Sequence, residues 1–111
     1  MENSREGQFA IEELMQNGGF TRDDIEYQVR LDKDTFSLSQ DRIADFQVGG
    51  TDIWEVKGSY TSGVEMESQA QDYAQLMKAG YQVHYFFYQK PSAPYIEFLD
   101  RLGINYFVYG L

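Results

Sequence analysis

Apolar and polar positions alternate along three stretches of this chain. From Ile25 to Leu31 the apolar Ile25, Tyr27, Val29 and Leu31 are interleaved with Glu26, Gln28 and Arg30. A period of two predicts a half-buried strand with its apolar side chains on one face. Arg42–Val48 repeats the pattern with Ala44, Phe46 and Val48, and Asp52–Lys57 with Trp54 and Val56. Asp32-Lys33-Asp34 predicts a polar turn, and Gly49-Gly50 marks a hairpin loop between the second and third strands.

The period changes elsewhere. Phe9, Ile11, Leu14 and Met15 predict a helix over Gln8–Gln16, stopped by Asn17-Gly18-Gly19. Met66, Ala70, Tyr73, Ala74 and Met77 form the stripe of a longer helix over Val64–Ala79, with Gly80 placed to end it. Gln82–Tyr88 reads as a buried strand. Ser92 is suited to cap a short helix, Tyr95–Leu102, closed by Gly103, and Ile104–Tyr109 reads as a last strand. The order is α-β-β-β-α-β-α-β in a single domain, residues 1–111. The first three strands are expected to be antiparallel neighbours, and the strand–helix–strand around Gly80 to be a parallel crossover. The expected class is α/β (α+β), a mixed central sheet with helices on both faces.

Alternation also sorts the polar side chains. Glu55 and Lys57 share one face of their strand, opposite Trp54 and Val56. If the sheet buries Phe46 and Val48 together with Trp54 and Val56, Asp45 falls on the face of Glu55 and Lys57. A two-residue loop would pair Asp45 with Trp54. A three-residue loop, Gly49-Gly50-Thr51, pairs Asp45 with Glu55 and is the expectation.

Two carboxylates and a lysine on one sheet face have a chemical use. Carboxylate oxygens suit Mg²⁺ or Mn²⁺. Such an ion acidifies water and offsets phosphate charge, while a lysine can orient a nucleophile or stabilise charge growing at phosphorus. The same Glu-x-Lys spacing is equally that of an ordinary exposed ion pair on an edge strand.

Composition narrows the choice. The chain has 111 residues, enough for one core that hides roughly two-thirds of the unfolded surface. Cysteine is absent, which excludes disulfides, thiolate metal sites and cysteine nucleophiles. Met1–Ala10 is polar and charged, without an apolar stretch behind a basic flank, and no apolar run is long enough to span a bilayer. No membrane association is expected. The formal charge is −9, where a nucleic-acid binder ordinarily shows a basic footprint. Most acids precede Lys57; beyond Val56 the chain is nearly balanced.

The segment Asp45…Glu55-Val56-Lys57 resembles the signature of the PD-(D/E)XK, or restriction-endonuclease-like, nuclease superfamily, whose core order of helix, three strands, helix and strand matches that given above. Gln69-Ala-Gln-Asp-Tyr73 is similar to the Gln-x-x-x-Tyr element that follows the lysine strand in many bacterial polymorphic and contact-dependent toxin nucleases. The matching stretch runs from Arg42 to Tyr73. The resemblance implies a Mg²⁺-dependent (or Mn²⁺-dependent) endonuclease with Asp45, Glu55 and the Val56 carbonyl as metal ligands. Lys57 would be the catalytic lysine and Gln69 a polar accessory. Glu12 or Glu13 is a further accessory candidate, against the reading of a solvated helix face. Ala44 stands where the signature has proline. A nucleic-acid substrate is implied, DNA ahead of RNA, with a cytoplasmic site of action. Such toxin domains are delivered by a larger secreted protein and held in check by a cognate immunity protein. The acidity supports a different expectation, a non-catalytic interaction domain on the same fold that binds a protein partner.

His84, the only histidine, sits in an apolar strand and reads as packed or hydrogen-bonded. Tyr81, Tyr85, Phe86, Phe87, Tyr88, Tyr106, Phe107 and Tyr109 read as core and sheet surface. Ser59, Tyr60 and Thr61 read as an ordinary loop within reach of a phosphate.

Overall fold

A computed structural model describes residues 21–57 and 64–109. The helix expected over Gln8–Gln16, with Glu12 and Glu13, and the loop Ser59–Gly63 lie outside the described residues. Among the described residues the fold is α+β: one five-stranded mixed sheet and three helices. The strands are β1 (Ile25–Leu31), β2 (Arg42–Val48), β3 (Asp52–Lys57), β4 (Gln82–Phe87) and β5 (Asn105–Val108). The helices are α1 (Lys33–Phe36), α2 (Val64–Lys78) and α3 (Ala93–Leu102). Among the described residues no helix is long and apolar enough to cross a membrane.

Strand order follows chain order, β1-β2-β3-β4-β5. β1, β2 and β3 run antiparallel, and β3, β4 and β5 run parallel. In the second hairpin Val48 pairs with Asp52, leaving Gly49-Gly50-Thr51 as the loop. Gly49 and Gly50 have φ of 64° and 82°. No atom crowds either position, so the left-handed backbone alone demands glycine there.

Two local readings change. Asp32-Lys33-Asp34 is the start of a helical turn, because the Asp32 carboxylate accepts from the Asp34 and Thr35 amides as an N-cap. α3 begins at Ala93, two residues before the expected start. Ser92 caps it by accepting from the Tyr95 amide, and Pro94 suits a first turn.

α2 and α3 pack on one face of the sheet, and the helix expected over Gln8–Gln16 lies outside the described residues. Both crossovers step across the sheet in the same direction, so right-handed connections put both helices on one side. Ala44, Ile53, Val83, Tyr85 and Phe87 meet Ala70, Tyr73 and Leu76 of α2 and Tyr95 and Leu99 of α3. Ile25, Phe46, Val48, Trp54, Val56 and Phe86 form a second cluster on the opposite face.

β1 and β2 each divide between these clusters. Ile25 and Tyr27 belong to the outer cluster, but Val29 and Leu31 to the helix side. Phe46 and Val48 lie outside, while Ala44 packs on the helix side. The expectation that each set of alternating residues shares a single face therefore fails in both strands. The break falls at Gln28, whose φ is 53°, and Asp45, which stands opposite it in the pairing. Pairing is regular on both sides, Tyr27 with Phe46 and Val29 with Ala44. Both strands change phase at one point, and the register survives. Such irregularities re-aim a side chain, as β-bulges do.

Left-handed backbone costs an ordinary residue on the order of 1–2 kcal/mol. Gln28→Gly is therefore expected to preserve or raise stability, and Gln28→Val to lower it by about 1–2 kcal/mol. Urea denaturation of the three proteins checks this; equal midpoints for Gly and Val would mean that the phase break does not need the left-handed residue.

Candidate active site

β2 pairs with β1 along its whole length, but with β3 only from Phe46 to Val48. Beyond Phe46 and Trp54 the two strands part. Continued pairing would set Ala44 opposite Val56. Instead the Asp45 carboxylate reaches into the gap, and its Oδ2 accepts from the Val56 amide at 2.6 Å. The Val56 carbonyl projects from the same strand edge as its amide, toward the parting strands.

Glu55 and Lys57 share the helix-facing side of β3, and Lys57 Nζ lies 3.2 Å from Glu55 Oε2. The anticipated convergence of Asp45, Glu55 and Lys57 is present. The carboxylates are deeply placed, Asp45 at 7% and Glu55 at 6% exposure. α2 supplies their partners. The Tyr73 hydroxyl donates to Glu55 Oε1 at 3.0 Å, and Gln69 Nε2 donates to Oε2 at 3.3 Å. The Tyr85 hydroxyl donates to Gln69 Oε1 at 3.2 Å.

Arg42, three residues before Asp45, fixes this helix to β2. Its Nε donates to Asp72 at 2.8 Å, Nη1 to Glu65 at 2.8 Å and Nη2 to Ser68 at 3.2 Å. Asp72 also accepts from the Ser39 amide and hydroxyl. Burial opposes the guanidinium charge, but bonds to Glu65 and Asp72 outweigh it and raise the Arg42 pKa. Burial likewise works against the Asp72 charge, yet the bonds from Ser39 and Arg42 hold its carboxyl below the usual range.

At Asp45 and Glu55 the balance reverses. Burial raises the Asp45 pKa against the Val56 amide and Lys57. Burial, then the Asp45 charge, pushes Glu55 up to about 7 despite Lys57 and Tyr73. Burial also raises Tyr73 and Tyr85 above the ordinary phenol range, so both remain proton donors. Among the described residues two buried carboxylates face one lysine, one positive charge short of balance. A proton on Glu55 or a cation supplies the missing charge. Two carboxylates with a nearby backbone carbonyl fit a hard divalent ion such as Mg²⁺ or Mn²⁺. Among the described residues they gain no third His, Asp or Glu ligand.

Three contributors escaped the sequence reading. Arg42 and Asp72 were separate charges there, although helical spacing puts Glu65, Ser68 and Asp72 on one side of α2. Tyr85 read as core, yet parallel pairing sets it directly beside Glu55, and a buried tyrosine hydroxyl ordinarily finds a partner. His84 is packed as expected: it stacks on Trp54 and its Nε2 lies 3.3 Å from Asp52. Ser59, Tyr60 and Thr61 lie outside the described residues.

Comparison of the chain with protein-family models, curated proteins and solved structures finds no match.

The Glu55 shift sets a pH dependence for metal-free protein. The folded state holds this proton more tightly than the unfolded chain. Its stabilising contribution is full below the ordinary value of 4.5 and is lost as pH rises through about 7. Denaturation in EDTA is expected to show stability falling across that window, with the slope flattened in Glu55→Gln. Equal slopes in the two proteins would mean that Glu55 does not carry the proton.

Proposed function

We propose that the chain is a divalent-metal-dependent nuclease domain of the PD-(D/E)XK type, with Asp45, Glu55 and Lys57 as its chemical centre. The observation that carries this reading is the burial of two carboxylates against one lysine where β2 and β3 part. Asp45, Glu55 and the Val56 carbonyl would hold Mg²⁺ or Mn²⁺. Bound there, the ion would acidify a water and offset phosphate charge. Lys57, half-buried at the rim of the site, would orient the attacking water or meet charge developing on a phosphate oxygen. Gln69 and Tyr73 hold both Glu55 oxygens in place, leaving the carboxylate little freedom to turn away.

The substrate is a nucleic acid, DNA ahead of RNA. The setting is that of a toxin or effector domain acting in the cytoplasm of a target cell and restrained by an immunity protein. A formal charge of −9 suits a restraining partner with a basic face, by electrostatic complementarity. The same charge favours the second reading, a non-catalytic domain whose acids bind a protein. Cleavage of plasmid DNA and of RNA, with and without Mg²⁺, decides between them.

Lys57→Ala is expected to abolish cleavage while the protein still folds, at some cost in stability because the partly buried lysine compensates Glu55. Full activity in a folded Lys57→Ala protein removes the lysine from the mechanism.

Binding is expected to need the metal. Arg42 is buried and neutralised by Asp72 and Glu65, so it is not free to meet a phosphate. Lys57 is drawn to Glu55. Without a cation the carboxylates repel the substrate, and a divalent ion inverts the local sign. DNA affinity in EDTA should be weak, with a shallow salt dependence, and should rise sharply with Mg²⁺. Tight binding in EDTA with a steep salt slope would reveal a basic surface elsewhere.

A further inference from the structure

Glu55 is held by a chain of hydrogen bonds whose direction is fixed at one end. When ionised, the Glu55 carboxylate only accepts, and Gln69 turns its amide nitrogen toward it. The Gln69 oxygen then points away and needs a donor, which Tyr85 supplies. A primary amide turned end for end has nearly the same shape, so packing alone selects its orientation poorly. A donor at the far end selects it strongly. We infer that Tyr85 is a positioning residue for this site, its hydroxyl locking the Gln69 amide in the orientation that presents a donor to Glu55.

Among the described residues two other hydroxyls lie close. That of Tyr95 is hydrogen-bonded to Tyr85 and donates to the Met66 carbonyl at 3.3 Å. The Tyr73 hydroxyl is committed to Glu55. The Tyr85 ring packs edge-on against Tyr73 and tilted against Phe87, contacts that phenylalanine would keep. Tyr85→Phe therefore removes the lock and leaves the core filled. The freed amide can then turn its oxygen toward Glu55, which repels the carboxylate and loosens it from above. Three elements meet in this lock: β4 orients a side chain of α2, which orients a side chain of β3.

The inference deepens the nuclease reading and rests on it only where cleavage is measured. The first arm needs no activity. In the full chain labelled with nitrogen-15 glutamine, the Gln69 side-chain amide is expected to give one sharp, dispersed pair of signals. In Tyr85→Phe that pair should broaden or double, while the backbone spectrum shows the fold retained. Unchanged Gln69 signals in a folded Tyr85→Phe protein overturn the inference. The second arm is a double-mutant cycle on cleavage. Tyr85→Phe is expected to lower kcat on the order of 10-fold with little change in KM, as loss of a supporting partner commonly does. In a Gln69→Ala background it should cost nothing further. Equal losses in both backgrounds overturn the inference, because Tyr85 would then act by a route other than Gln69. If the wild-type protein cleaves neither DNA nor RNA, the nuclease reading fails, and the spectra still decide the role of Tyr85.

Discussion

The hydrogen bond from the Val56 amide to Asp45 stands at the point on which the site depends. An amide on a strand ordinarily pairs with a carbonyl of the next strand, and one left bare inside the protein costs about 1–3 kcal/mol. Here a side-chain carboxylate takes the carbonyl's place. β2 and β3 can therefore separate beyond Phe46 and Trp54 without stranding that amide. The separation opens room beside β3 on the helix side, where Glu55 and Lys57 lie. The phase break opposite Gln28 brings Asp45 toward that room while leaving Ala44 on the helix side as well. Arg42 ties the parted strand back to α2. Removing one partner of such a buried ion pair commonly costs about 3–5 kcal/mol, since the other charge is left without compensation.

Much of this was legible in the sequence. Strand bounds followed from alternation, because one face of each strand meets an apolar core. The three-residue loop followed from requiring Phe46 and Trp54 to share a face, and they stack with ring centroids 5.9 Å apart. The same rule misled at Ala44. Alanine is small enough to pack on either face, so its position in the pattern carried no information about side. Nothing in Gln28 announces left-handed backbone, since glycine, asparagine or aspartate are the usual signals. That α2 and α3 share a face was less legible. Handedness fixes the side of a crossover only once strand order is known, and strand order is not written in local periodicity.

The functional residues divide in the same way. Asp45, Glu55 and Lys57 are visible because alternation sorts three charged side chains of neighbouring strands onto one face. Tyr85 hides because tyrosine satisfies the pattern, and Tyr73, marked only by the resemblance, satisfies it too. Each fills core volume with its ring, and only the three-dimensional pairing shows where the hydroxyl goes. At Arg42 and Asp72 the sequence shows two ordinary surface-type charges, thirty positions apart, and burial turns them into a structural clamp.

The electrostatics also separate the site from the rest of the buried polar groups. Arg42 and Asp72 satisfy one another, with Ser39, Ser68 and Glu65 filling the remaining positions, and both keep their ordinary charges. That cluster is complete. Asp45, Glu55 and Lys57 are not: burial presses both carboxylates toward the protonated form, and the Asp45 charge adds to it at Glu55. Fold stability offers no reason for this arrangement, because apolar side chains of similar volume often replace buried charges at no loss. The opposite face of the same strands is closed in that way by Phe46, Val48, Trp54 and Val56. A surface for docking a protein would not require it either, since a carboxylate at 6% exposure has little area to offer a partner. Among the described residues, a deficit of one positive charge, with Glu55 held by donors from α2, is a feature that a bound cation would use and that neither stability nor docking explains.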